Sequence, residues 1–147
     1  MHLQDKVLRK VALEVTFEDP KSLLDLTSDM AVLMYSSGGI GLAAPQVGKS
    51  LRVFVMDVIE DSKLYRCFNP NIIDFSTEKS VELEGCLSLP GTTLEIERPV
   101  KIKANWQDAY GQHIVADLTG LAARCFQHEL DHLNGITIIE RNHGFTK

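Results

Sequence analysis

The chain has 147 residues, 44% hydrophobic and 24% charged, with a formal net charge of −5. These are globular values that exclude disordered, collagen-like or disulfide-stapled classes, and the acidic balance offers no basic footprint for stable nucleic-acid binding or anionic lipid. Three cysteines fit a reducing compartment better than a secreted framework, no apolar run nears the roughly 18 residues of a membrane span, and residues 1–6 lack a signal peptide's apolar stretch. The expectation is a single soluble cytoplasmic domain over residues 1–147.

The first element starts at Asp19-Pro20, an N-cap carboxylate followed by a proline at the first helical position. Leu23, Leu26, Met30, Leu33 and Met34 then recur at steps of three and four, one face of a helix that stops before Gly38-Gly39. Residues 39–48 are too rich in Gly and Pro for a regular element. Residues 51–58 are β-branched and partly alternating, hence a strand. Shorter strands are expected at 64–68, 72–75, 92–96 and 100–106, and a turn at 108–111 leads to another at 113–118. A second helix runs from 119 or 121 to Leu133, with Asn134-Gly135 as its stop, and 136–139 reads as a last strand. Strands grouped between helices predict an α+β fold, with antiparallel or mixed sheets around a central helix.

That second helix carries His128-Glu129-Leu130-Asp131-His132. Imidazoles four residues apart share a helix face and can chelate one divalent cation. Glu129, rotated about 100° from His128, can reach water at the metal without occupying the ligand face. The spacing therefore supplies two ligands and a general base. A solvated helix face is the plain alternative. A hydrolytic site also needs a third protein ligand. The zinc-protease pattern His-Glu-x-x-His-x-x-Gly-x-x-His is matched as far as Gly135, but its last position is Ile138, leaving Glu140 and His143 downstream. Upstream, Cys86 in Glu84-Gly85-Cys86-Leu87-Ser88 offers a thiolate. Cys125, one turn before His128, competes with it, although Ala122, Ala123 and Phe126 around it favour a buried thiol. Cys67 lies in a strand pattern and reads as core.

Together three segments resemble the peptide deformylase family. Its motif Gly-φ-Gly-φ-Ala-Ala-Pro-Gln, with φ apolar, is matched by residues 39–46. Glu-Gly-Cys-φ-Ser is matched by 84–88, and Gln-His-Glu-φ-Asp-His by 127–132. The resemblance implies a metal-dependent hydrolase that takes the formyl group from the N-terminal formylmethionine of new polypeptides and releases formate. It implies Cys86, His128 and His132 as ligands of one divalent ion per chain. That ion is Fe2+ in many members, with Zn2+, Ni2+ or Co2+ able to replace it. Glu129 would move the proton, while the Gln46 amide and the Leu87 backbone N–H would donate to the formyl oxygen. The Gly41 backbone would lie beside the substrate, its missing Cβ allowing close approach. Ile40, Leu121, Cys125 and the stem of Arg124 would line the methionine pocket.

For the surroundings of the ligands, Asp131 is a candidate partner of a ligating imidazole, and Glu84 with Arg98 a pair bracing the Cys86 segment. Typical bacterial members continue into a basic C-terminal helix that docks on the ribosome; here only residues 133–147 follow His132. The expectation is transient ribosome proximity without that helix, as in short phage-encoded deformylases, in a bacterial cytoplasm or that of a phage's host. A zinc endopeptidase and a non-catalytic binding module are the other readings; intact Glu129 and Gln46 argue against the second.

Overall fold

Asp19 and Pro20 start the first helix as expected. In the computed structural model, which describes residues 6–58 and 63–145, α1 spans Pro20–Ser36, and the Asp19 carboxylate accepts from the Ser22 N–H at 3.2 Å. Residues 1–5, read above as carrying no signal, lie outside the described residues, as does the side chain of His143. The apolar stripe of α1 buries Leu23, Met30 and Met34, with Leu26 and Leu33 half-buried beside them.

Strands β1 (Gly41–Ala43), β2 (Val53–Val58) and β3 (Lys63–Phe75) follow. Next come β4 (Lys79–Cys86), β5 (Leu89–Pro99), β6 (Lys101–Gln107) and β7 (His113–Thr119). Helix α2 spans Gly120–Leu133 and α3 spans Ile138–Phe145. An antiparallel sheet of order β1-β2-β3-β6-β7 forms the body, and β4-β5 is a separate hairpin. Alternation in β2 sends Val53 and Val55 to the α1 side and Phe54 and Met56 to the α2 side, so both faces of this strand are covered. On α2, Phe126 packs edge-on to Phe54 at 5.0 Å between ring centroids and against Trp106 at 5.8 Å. With Phe126 held there, the rotation of α2 is fixed, and the histidine side turns toward the β4-β5 hairpin.

The structure corrects three expectations and adds one strand. Residues 136–139 are not a strand: they lead into α3, and Arg141 on that helix reaches back to Asp131 with a bidentate pair at 2.7 and 2.9 Å. The separate strands at 64–68 and 72–75 are one strand interrupted by a bulge, because Asn69 (φ 48°) steps out of register while its side chain bonds the Val15 backbone. Part of the stretch 39–48 is regular, since β1 pairs with β2. Strand β4 answers to no predicted element.

Helix α2 stops where Asn134-Gly135 requires. Gly135 has φ +74°, and the Ile136 N–H closes on the Asp131 carbonyl at 2.8 Å. A Cβ there would also meet the Arg9 backbone at 2.9 Å, so the N-terminal segment crosses the helix end only because this residue is glycine.

Candidate metal centre and substrate cavity

Three elements converge on one point. His128 and His132 come from α2, Cys86 from the end of β4, and Gln46 from the single 3-10 turn Ala44–Val47 after β1. One ligating atom each from Cys86, His128 and His132 lies within 4.8 Å of the others, and Cys86 Sγ stands 3.4 Å from His132 Nε2. Ligands about 2.0–2.3 Å from a tetrahedral ion are about 3.3–3.6 Å apart, so the observed spacing suits one ion. Cys125 points elsewhere: its Sγ donates to the Ile40 carbonyl at 3.6 Å.

The groups behind the ligands are almost fully buried and highly charged. Glu84 Oε1 meets His128 Nδ1 at 2.8 Å, which leaves Nε2 of that ring for the ion. Arg98 donates to both Glu84 oxygens at 2.6 and 2.9 Å, and Arg124 Nη1 donates to Oε2 at 2.5 Å. Arg98 continues to Asp131 at 2.8 Å. Burial pushes the Glu84 carboxyl up, yet the hydrogen bonds from His128 and Arg98 outweigh it and hold the group at about 2. Burial likewise pulls His128 down, but its bonds with Cys86 and Glu84 lift it to about 10; a divalent cation would feel the same negative field. Burial and the neighbouring His128 hold His132 near 3, so that ring is neutral with a lone pair to give.

Glu129 sits beside this point with Oε2 4.0 Å from His128 Nε2, and its Oε1 is buried with no hydrogen-bond partner among the described residues. Burial raises its carboxyl to about 7 against the downward pull of His128, which suits a group that both takes and gives a proton near neutrality. The Gln46 amide is oriented by its own turn. Its Oε1 accepts from the Ala43 N–H at 2.9 Å, so Nε2 faces Ser88 Oγ at 3.0 Å and Cys86 Sγ at 3.7 Å.

A cavity of about 620 Å³ opens directly over the cluster. Ile40, Gly41, Leu121, Arg124 and Cys125 all border it, as do Gln46 and Leu87. The Arg124 guanidinium turns away to Glu84, Glu82 and the carbonyls of Ser80 and Ile96, so its stem faces the cavity while its head holds the hairpin to α2. Asp131 does not partner a ligating imidazole as expected; it pairs with Arg98 and Arg141, and Glu84 takes that place. Glu84 stands two residues before Cys86 on β4, and such residues share a face of a strand. Ser88, 1% exposed and quoted above only as part of its motif, takes one Gln46 amide proton.

The chain matches the family model for polypeptide deformylases over residues 1–147. It is 45% identical over 137 residues to the peptide deformylase of Natranaerobius thermophilus, covering 93% of this chain and 86% of that relative. The crystal structure of peptide deformylase from Thermotoga maritima is similar with a TM-score of 0.91 at 46% identity, over 95% of this chain and 93% of that one. A probable peptide deformylase from synechococcus phage S-SSM7 follows at 0.88 and 43%, over 95% and 96% of the two chains.

Proposed function

The chain belongs to the peptide deformylase family, metalloenzymes that remove the N-formyl group from nascent peptides, and from that premise we propose how its residues divide the work. Cys86, His128 and His132 hold the metal; the observation that carries this is the convergence of their ligating atoms within 4.8 Å. When bound, the divalent ion supplies a Lewis acid that acidifies water and polarises a carbonyl oxygen. Thiolate and imidazole donors suit Fe2+, which we assign as the native ion, and Zn2+, Ni2+ or Co2+ in its place.

Glu129 takes the proton of the attacking water and passes it to the amide nitrogen as the bond from formyl carbon to nitrogen breaks, leaving formate and a free amine. Charge gathers on the formyl oxygen, and Gln46 Nε2 with the Leu87 backbone N–H donates to it. The methionine side chain lies among Ile40, Leu121, Cys125 and the Arg124 stem, with the Gly41 backbone alongside the peptide. The whole of residues 1–147 acts as one catalytic domain. It meets nascent chains through transient ribosome proximity in the cytoplasm, without stable nucleic-acid binding, in keeping with a net charge of −5; no helix among the described residues is long and apolar enough to cross a membrane.

The test is incubation of anaerobically prepared, metal-loaded protein with formyl-Met-Ala-Ser and with an unformylated peptide. The proposal expects formate from the first and no backbone cleavage of either. Cleavage of both would make it an endopeptidase, and an inert, fully metallated protein would make it a binding module.

A further inference from the structure

We propose that Gly41 is a positioning residue: its missing side chain is the seat of the Glu129 carboxylate, and through that seat it governs the turnover step. This rests on Glu129 carrying the proton, as proposed above. Gly41 is not among the glycines with positive φ, so conformational freedom is not what the position demands. It lies in β1 opposite Met56, and strand alternation turns Gly41 and Ala43 toward α2 while Leu42 faces α1.

A Cβ built on Gly41 would stand 2.6 Å from Glu129 Oε2, 2.8 Å from Cys125 Sγ and 3.0 Å from Glu129 Cδ. The other glycines at the cavity differ. Gly38 and Gly91 have open space at that position, and a Cβ on Gly39 would meet the movable tip of Leu87 at 3.0 Å. The contact matters because no described protein group hydrogen-bonds this carboxylate. Oε1 has no partner among the described residues, and Oε2 stands 4.0 Å from His128 Nε2, beyond hydrogen-bond reach. Of its protein neighbours, the bare Cα of Gly41 is the one whose packing leaves it this room.

A methyl group at this position would displace Oε2 by roughly 0.8 Å, the difference between 2.6 Å and the 3.4 Å at which ordinary contact begins. The three nearest atoms are all side-chain ends, of Glu129 and Cys125. The scaffold therefore tolerates the change while the carboxylate does not.

The experiment is Gly41→Ala in the metal-loaded enzyme, with four readouts beside wild type: metal content, Tm, affinity for the deformylated peptide Met-Ala-Ser, and steady-state kinetics. The expected result is unchanged metal and Tm, with kcat down about 100-fold, the cost of misplacing a reacting group by about 1 Å, and peptide affinity lowered far less than kcat. A crystal structure of the variant should show the carboxylate displaced and the three ligands in place. Glu129→Asp retracts the carboxylate, so adding Gly41→Ala to it should cost nothing further. Cys125→Ala should leave the Gly41→Ala loss in place, because the closest contact is with Glu129.

The proposal is overturned by an unchanged kcat, or by a loss confined to KM and peptide affinity, which would place the methyl against the substrate. Rescue by Cys125→Ala or collapse of the fold would also overturn it, since either would make the glycine a matter of packing. Glu129→Gln with full activity would instead defeat the assignment of Glu129 itself, whatever Gly41→Ala does.

Discussion

Glu84 joins the hairpin that supplies Cys86 to the helix that supplies the histidines, so its removal should show in both folding and metal retention. The carboxylate is 7% exposed and receives two hydrogen bonds from Arg98, one from Arg124 and one from His128 Nδ1. Deleting one partner of a buried ion pair costs about 3–5 kcal/mol, because the other charge stays behind uncompensated. Here both cations keep something: Arg98 retains Asp131, and Arg124 retains the carbonyls of Ile96 and Ser80. Glu84→Ala therefore belongs near the lower end, about 3 kcal/mol, within the 5–15 kcal/mol of a typical domain, so the variant folds. Loss of the carboxylate behind a ligating imidazole should weaken metal binding by about 10–100-fold. Urea unfolding of the metal-free protein reads the first effect, and competition with a chelator reads the second. Glu84→Gln keeps the shape without the charge and should fall between wild type and Glu84→Ala in both. Wild-type stability together with wild-type metal affinity in Glu84→Ala would refute the reasoning.

Other residues give sharper single readouts. With metal bound, no thiol should react with a disulfide reagent. After chelation Cys86 should react alone, because burial pushes the Cys67 and Cys125 thiols well up, and Cys125 reacting first would contradict this. Gln46→Ala should lower kcat by about 10²–10³ with KM nearly unchanged, the signature of a donor used only in the transition state; a loss in KM alone would count against that role. Arg141→Ala breaks a bidentate pair whose arginine side chain is 46% exposed, so urea unfolding should register no more than about 1 kcal/mol.

How far these features could be read from the residues follows from how local their causes are. Helix α1 was legible because its cap, its proline and its stripe lie within the segment itself. The metal cluster was legible because both histidines sit in one local motif and Cys86 in another, although the distance between Cys86 and His132 depends on how the hairpin packs on α2. Strand β4 was not legible. It pairs with β5 alone and leaves Val81 and Leu83 exposed, so its apolar residues do not mark a buried face. Residues 136–139 form an apolar run too short to separate strand from helix; burial of Ile138 and the grip of Arg141 on Asp131 decide for helix. The role of Glu84 was half-legible: its pairing with Arg98 was expected, but its contact with His128 arises only when β4 and α2 meet.

X-ray absorption at the edge of the bound metal, on the wild-type enzyme and on Cys86→Ala, tests the ligand set most directly. The account predicts one sulfur near 2.3 Å and two imidazole nitrogens near 2.0–2.1 Å in wild type, with the sulfur gone and the metal weakly held in the variant. A wild-type spectrum without sulfur, or a sulfur that persists in Cys86→Ala, would contradict it.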